Sequence, residues 1–136
     1  ETDYIKKINH LADVELFKIH KKNKSKKNKF NIDYESNLII NQLSKNDINI
    51  LIDEKGDIYE TIEFSKFIQK NFLYSSKKIV FIIGGAYGFN KELNKKVEKK
   101  ISLSKFTFTH DIARLLLIEQ IYRALTVIKN IPYHNH

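Results

Sequence analysis

Glu119 stands four residues before Arg123, and Pro132-Tyr133-His134 follows shortly after. A carboxylate and a guanidinium at i, i+4 share one helix face, in the favourable order. Set among apolar residues, such charges need each other. The chain's only proline fixes the backbone ahead of an aromatic ring and an imidazole. That combination is suited to stacking on a nucleobase or capturing one. His110 sits just ahead of the segment carrying Glu119, and an imidazole can take or give a proton near neutral pH. A structural or solvated histidine is the plainer reading of it. Upstream, Gly84-Gly85-Ala86-Tyr87-Gly88 follows an apolar run. A glycine turn between strand and helix lets backbone N–H groups come close to a ligand. The loop lacks the Gly-Lys-Ser/Thr of a P-loop. It also follows the third visible strand, and Leu103 to Phe108 has no acid, so a Rossmann nucleotide site does not fit. A tight turn needing positive φ is the alternative.

The elements that must position these residues alternate. Glu1 to His10 reads as helix, and Asp13 to Ile19 as a strand by its alternation. Asn31 to Leu43 has helical spacing, with Asn31 as cap. Asn49 to Asp53 is a short buried strand, Glu54 to Asp57 a turn, and Thr61 to Phe72 a helix with a stripe of Ile62, Phe64, Phe67, Ile68 and Phe72. Lys78 to Ile83 is a β-branched strand, and Asn90 caps a helix running to about Lys100. Ile101 to Phe108 alternates like a strand. Taken alone, Leu103, Ser104, Lys105, Phe106, Thr107 and Phe108 carry no chemistry. Ile112 to Lys129 is a long helix, apolar around nearly its whole circumference. Such a helix must be buried on all sides, which in a chain this short favours a second subunit over part of it. Alternation with continuous apolar strands predicts an α/β fold, a parallel sheet covered on both faces by helices.

Composition narrows the classes. A chain of 136 residues suits one domain, residues 1–136. Without cysteine, disulfides, zinc–thiolate sites and cysteine nucleophiles are excluded. The longest uncharged apolar run, Ile79 to Phe89, is 11 residues with three glycines, too short to span a bilayer. No secretory pattern opens the sequence, so a cytoplasmic location with no membrane partner and no metal is expected. The net charge is +8, and the stretch from Lys18 to Lys29 alone holds seven lysines and no acid. Residues 18–30 therefore read as a lysine-rich loop. Local density of this kind rewards a polyanion partner, although a solvated loop in a lysine-biased composition reads equally well.

Four ordered segments carry a resemblance. They are Ile82-Ile83-Gly84-Gly85-Ala86-Tyr87-Gly88, Leu103-Ser104-x-x-Thr107-Phe108-x-His110, Arg114-Leu115-Leu116-x-x-Glu119-Gln120-Ile121-Tyr122-Arg123-Ala124 and Pro132-Tyr133-His134. Together the sequence resembles the bacterial large-subunit rRNA pseudouridine N3-methyltransferases of the SPOUT class, weakly up to about Ser76 and strongly from Lys78 onward. The resemblance implies a SPOUT-type parallel sheet with a C-terminal trefoil knot, which periodicity does not predict. It implies a homodimer through the C-terminal helix, with residues 78–136 as the knotted, cofactor-binding and dimerising region. S-adenosyl-L-methionine would lie among Ile52, Gly84, Gly85 and the loop Leu103, Ser104, Lys105, Phe106, Thr107 and Phe108. A catalytic set of His110, Glu119, Arg123, Tyr133 and His134 would methylate N3 of a pseudouridine in 23S ribosomal RNA on the assembled ribosome. His110, His134 and Glu119 all remain candidate bases. Arg114 and Lys21, Lys22, Lys24, Lys26, Lys27 and Lys29 would contact RNA. Two departures stand out: Asn135 where many members are basic, and Thr109 where many have proline. The family also implies a first N-terminal strand missing from this numbering. The alternatives are a non-catalytic basic ribosome-binding or assembly factor on the same fold, and a SPOUT methyltransferase for another RNA.

Overall fold

The computed structural model describes residues 2–17, 28–73, 75, 77–84 and 88–135. In chain order the elements are α1 (Thr2–Asn9), α2 (Asn28–Ile40), β1 (Ile48–Ile58), α3 (Thr61–Ile68), β2 (Ile79–Ile83), α4 (Lys91–Lys96), β3 (Lys99–Ser102) and α5 (His110–Ile128). A π-helical turn, Gln69–Leu73, extends α3. The three strands form one parallel sheet in the order β2-β1-β3.

Consecutive residues of β1 point to opposite faces, and both faces are covered. Ile50 joins Ile8, Phe64, Ile68, Ile101, Ile118 and Leu125 in one core, beneath α1, α3 and α5. Leu51 joins Ile82 and Leu93 in a second core, beneath α2 and α4. Two-sided burial explains why β1 and β2 are near-continuous apolar runs. Helix starts follow their side chains. Asn90 Oδ1 accepts the Leu93 N–H at 3.0 Å to open α4, and Thr109 Oγ1 accepts the Ile112 N–H at 3.4 Å to open α5. At the far end of α5, Asn130 adopts φ 56°, and the Ile131 N–H returns to the Thr126 carbonyl at 2.9 Å. This left-handed stop turns the tail back along the helix.

Several expectations are corrected. Residues 13–17 form no strand. Val14 packs half-buried against the core, but Leu16 is exposed and Phe17 is 73 % exposed, so the alternation is not matched by a buried face along the segment; residues 18 and 19 lie outside the described residues. Helix α2 begins at Asn28, so Asn31 is inside it and is not its cap, and Lys29 lies in its first turn and not in a loop. Helix α4 stops at Lys96, because Lys99–Ser102 is drawn into the sheet beside β1. The expected strand over 101–108 therefore ends at Ser102, and Leu103 to Phe108 runs as an irregular segment. The expected turn at residues 54–57 lies within the span of β1, as a bulge. Ile52 and Asp57 both pair with Ile101, so the residues between them loop out of the ladder.

Candidate functional site

Three expected cofactor-binding pieces lie on neighbouring strands of the sheet or directly after them. Ile52 pairs with Ile83 on one side and Ile101 on the other. Gly84 follows β2 directly, and Leu103 follows β3 directly. Gly84 and Leu103 thus follow the carboxyl ends of β2 and β3, where open α/β sheets form their ligand crevices, and Ile52 lies within β1 where its ladder to β2 stops and the bulge begins. Gly84 has a steric reason to be glycine: a Cβ there would stand 2.4 Å from a ring carbon of Phe89. Gly85 lies outside the described residues. The segment after β3 is tied down locally. Ser102 Oγ donates to the Ser104 carbonyl at 2.9 Å, and Ser104 Oγ accepts the Phe106 N–H at 3.0 Å. Thr107 Oγ1 donates to Glu54 Oε2, in the β1 bulge, at 3.0 Å. Leu103, Ser104 and Phe108 are half-buried, whereas Lys105 and Thr107 are exposed and Phe106 is 78 % exposed. Aliphatic walls and irregular backbone fit a flat heterocycle held by main-chain groups, while the close approach that Gly84 permits is taken up by the Phe89 ring.

The second cluster is polar and sits on the outer face of α5. Glu119 Oε1 accepts from Arg123 Nε at 3.0 Å, from Arg123 Nη2, and from the Tyr133 hydroxyl at 3.1 Å. Glu119 Oε2 accepts from Gln120 Nε2 at 2.9 Å, and Gln120 Oε1 accepts from Thr61 Oγ1 at 3.1 Å. Arg123 Nη1 lies 3.2 Å from His134 Nδ1, and the guanidinium stacks 4.7 Å from the centre of the Tyr133 ring. Tyr133 meets Tyr4 of α1 oxygen to oxygen at 3.2 Å and packs edge-on against Tyr122 at 4.8 Å. The Arg123 and Glu119 side chains are only 25 % and 18 % exposed, so their pairing is shielded from water. The bond to Glu119 holds Arg123 still more firmly protonated, against the opposing effect of burial. The contact with Tyr4, then burial, then the Glu119 carboxylate push the Tyr133 hydroxyl far above the ordinary phenol range.

The expected i, i+4 pair is therefore present, and the Pro-Tyr-His tail folds onto it. His110 stands elsewhere: its ring is 60 % exposed, with Nε2 3.6 Å from Asp111 Oδ1. Arg114 also pairs with Asp111, at 3.1 Å. Lys21, Lys22, Lys24, Lys26 and Lys27 lie outside the described residues. Sequence reasoning assigned no part to Tyr4, Gln120 or Thr61. The one signal pointing to Tyr4 is general, in that a half-buried tyrosine hydroxyl seeks a polar partner; nothing local joins residue 4 to residue 133. Among the described residues no group of three or more His, Asp or Glu could hold a metal ion. No helix among them is long and apolar enough to cross a membrane.

Comparison with known proteins bears on this arrangement. Residues 1–134 match the family model described as predicted SPOUT methyltransferase. A protein of Christiangramia forsetii named ribosomal RNA large subunit methyltransferase H is 45 % identical over 101 residues, which cover 74 % of this chain and 64 % of that protein. The protein of the same name from Porphyromonas gingivalis strain W83 is 37 % identical over 138 residues, covering 98 % of this chain and 86 % of its own length. The one from Bdellovibrio bacteriovorus is 38 % identical over 133 residues, covering 97 % and 85 %.

Proposed function

The chain belongs to the SPOUT methyltransferase family, and from that premise we propose that it transfers a methyl group from S-adenosyl-L-methionine to N3 of a pseudouridine in 23S ribosomal RNA on the assembled ribosome. One observation carries the reading. The crevice edge made by Ile52, Gly84 and Leu103 continues through Leu103–Phe108 straight into α5, which bears Glu119 and Arg123. The segment proposed to hold the cofactor, Leu103–Phe108, and the residues proposed to handle the substrate are thus successive parts of one stretch of chain.

When bound, S-adenosyl-L-methionine supplies an activated methyl group, so the hardest chemistry is the cofactor's own. Ile52, Gly84, Gly85 and Leu103–Phe108 would hold it, in a trefoil knot formed by residues 78–136 of a single domain. The work left to the protein is to bring N3 into line with that methyl group, and positioning supplies much of the rate. Arg123 and Tyr133, fixed by Glu119, offer a cation and a ring to the nucleotide. Exposed His110 and half-buried Arg114, both beside Asp111 in the first turns of α5, would reach the RNA from the same helix. Lys21, Lys22, Lys24, Lys26, Lys27 and Lys29 contact RNA backbone. The protein acts in the cytoplasm as a homodimer. The exposed apolar residues Ile112, Leu115 and Leu116 of α5 support that assembly.

Incubation of the full chain with radiolabelled cofactor, and with either ribosomes or free tRNA, tests the proposal. Label in the 23S RNA of ribosomes is expected. Label in tRNA alone would redirect the enzyme to another RNA. Absence of both label and calorimetric cofactor binding would leave a non-catalytic ribosome-binding factor. Reversing the charge of Lys21, Lys24 and Lys26 is expected to flatten the salt dependence of ribosome methylation, by counterion release.

A further inference from the structure

We propose that His134 serves the transfer as a hydrogen-bond donor to a carbonyl oxygen of the pyrimidine ring, and not as the base that removes the ring proton. The inference rests on the methyl-transfer reading above and specifies the part His134 plays in it.

The argument begins with Arg123. A guanidinium has five N–H donors and no acceptor. Its Nη1 lies 3.2 Å from His134 Nδ1, so Nδ1 must present its lone pair. In a neutral imidazole the ring proton then sits on Nε2. Such a ring can donate from Nε2 but has no position for an incoming proton unless the Arg123 contact breaks. Arg123 is not free to turn away. Two of its nitrogens are fastened to Glu119 Oε1, the same oxygen accepts from Tyr133, and the Tyr133 ring stacks on the guanidinium. Glu119 is disqualified as the base by the same bonds. Oε1 already accepts three donors and Oε2 accepts Gln120, so the carboxylate acts as the anchor of Arg123.

The chemistry asks for a donor at this place. N3 of the ring lies between two carbonyl groups. When it loses its proton to water, the negative charge spreads onto both oxygens. The nitrogen then gives its electron pair to the methyl carbon, and the electrons of the broken carbon–sulfur bond pass to sulfur. An N–H given to one carbonyl oxygen would favour the charged ring just as charge develops. The surroundings suit a flat ring. His134 lines a cavity of about 270 Å³ with Thr126, Val127, Asn130, Ile131 and Pro132, which combines apolar walls for a ring face with polar groups for its edge.

Two measurements test the assignment. Nitrogen-15 spectra of the imidazoles, recorded without RNA or cofactor, are expected to show His134 protonated on Nε2, and Arg123→Met is expected to release it to a mixture of tautomers. In single-turnover methylation of ribosomes, His134→Ala should slow transfer by about 100-fold or more, while His134→Gln should stay within about tenfold of the wild type. A glutamine amide donates a hydrogen bond but cannot take up the ring proton. A His134 protonated on Nδ1 overturns the assignment, as does a His134→Gln protein as slow as His134→Ala beside an active wild type. A wild-type protein that methylates nothing sinks the proposed function, and the donor role with it, even if the tautomer is as expected.

Discussion

Replacing Gly56 by alanine probes the β1–β3 seam on which the proposed cofactor site depends. Strand β1 leaves its partner after Ile52, loops out, and returns to the same residue of β3, Ile101, through Asp57. Gly56 lies at the return. A Cβ there would stand 2.6 Å from the Lys100 carbonyl carbon, 2.7 Å from the Ile101 nitrogen and 2.7 Å from the Lys100 oxygen. All three are backbone atoms of a strand held in the sheet, so no rotamer change relieves the clash, and residues 53–58 must lift. That lift breaks the rungs Asp57–Ile101 and Ile58–Ser102. Two lost hydrogen bonds at about 1 kcal/mol each and overpacking strain of about 1–3 kcal/mol give a destabilisation of roughly 3–5 kcal/mol. For a chain of this size that corresponds to a fall in Tm of roughly 10–20 °C. Thermal unfolding followed by circular dichroism measures it, with Gly88→Ala as comparison. Gly88 adopts φ 85° with nothing within 4 Å of a built Cβ, so only the left-handed backbone is penalised, by about 1–2 kcal/mol. Because β3 leads into Leu103, Gly56→Ala should also weaken cofactor binding in calorimetry. A Gly56→Ala protein melting within a few degrees of the wild type, or above Gly88→Ala, would refute the reasoning.

Glu119→Gln removes the charge that fixes Arg123. With charge-assisted bonds worth about 1.5–3 kcal/mol, single-turnover methylation should fall roughly 10- to 100-fold at unchanged cofactor affinity. The raised Tyr133 hydroxyl stabilises the fold fully below the ordinary tyrosine range, near pH 10, because folded and unfolded chains are then both protonated. Above that range the unfolded chain ionises first and stability is lost. Tyr133→Phe should therefore show a shallower fall of Tm with pH above 10, and equal slopes would count against the buried phenol. Leu116→Asp, in the exposed stripe of α5, should shift sedimentation toward a single chain while far-ultraviolet circular dichroism stays unchanged.

Legibility in the sequence followed the range of the interactions. Strands β1 and β2 and helix α5 announced themselves, because two-sided burial writes β-branched runs and a long apolar helix into consecutive residues. The Glu119–Arg123 pair was equally plain, since helix geometry alone makes i and i+4 neighbours. Residues 13–17 misled because alternation states only that a strand could form; pairing needs a partner edge, and among the described residues none pairs with them. Lys99 and Lys100 read as the end of a lysine-rich helix. Their place in the sheet is decided by β1, some fifty residues upstream, through Ile50 and Leu51. The Tyr4–Tyr133 contact spans 129 positions and has no local signature at all.

Helix α5 shows how the halves of the proposed site depend on each other. At about 100° per residue, Ile112, Leu115, Leu116, Glu119 and Arg123 fall within roughly 60° of one line along the helix. Leu117, Ile118, Ala124 and Leu125 face inward and are buried. The tail that turns back at Asn130 covers the second half of the outer line, where Tyr133 and His134 meet Glu119 and Arg123. The first half is left as apolar surface: Ile112, Leu115 and Leu116 are 49 %, 42 % and 37 % exposed. A second copy seated on that surface would abut the ion pair, remove water from one side of it and strengthen its electrostatics. Methyl transfer should therefore depend on assembly even though the stripe itself is apolar and carries no group for the chemistry. The Leu116→Asp protein is expected to lose rate in step with its loss of dimer, and to recover it at protein concentrations that restore the dimer by mass action. A monomeric variant with the wild-type rate would break this link and place the whole site within one chain.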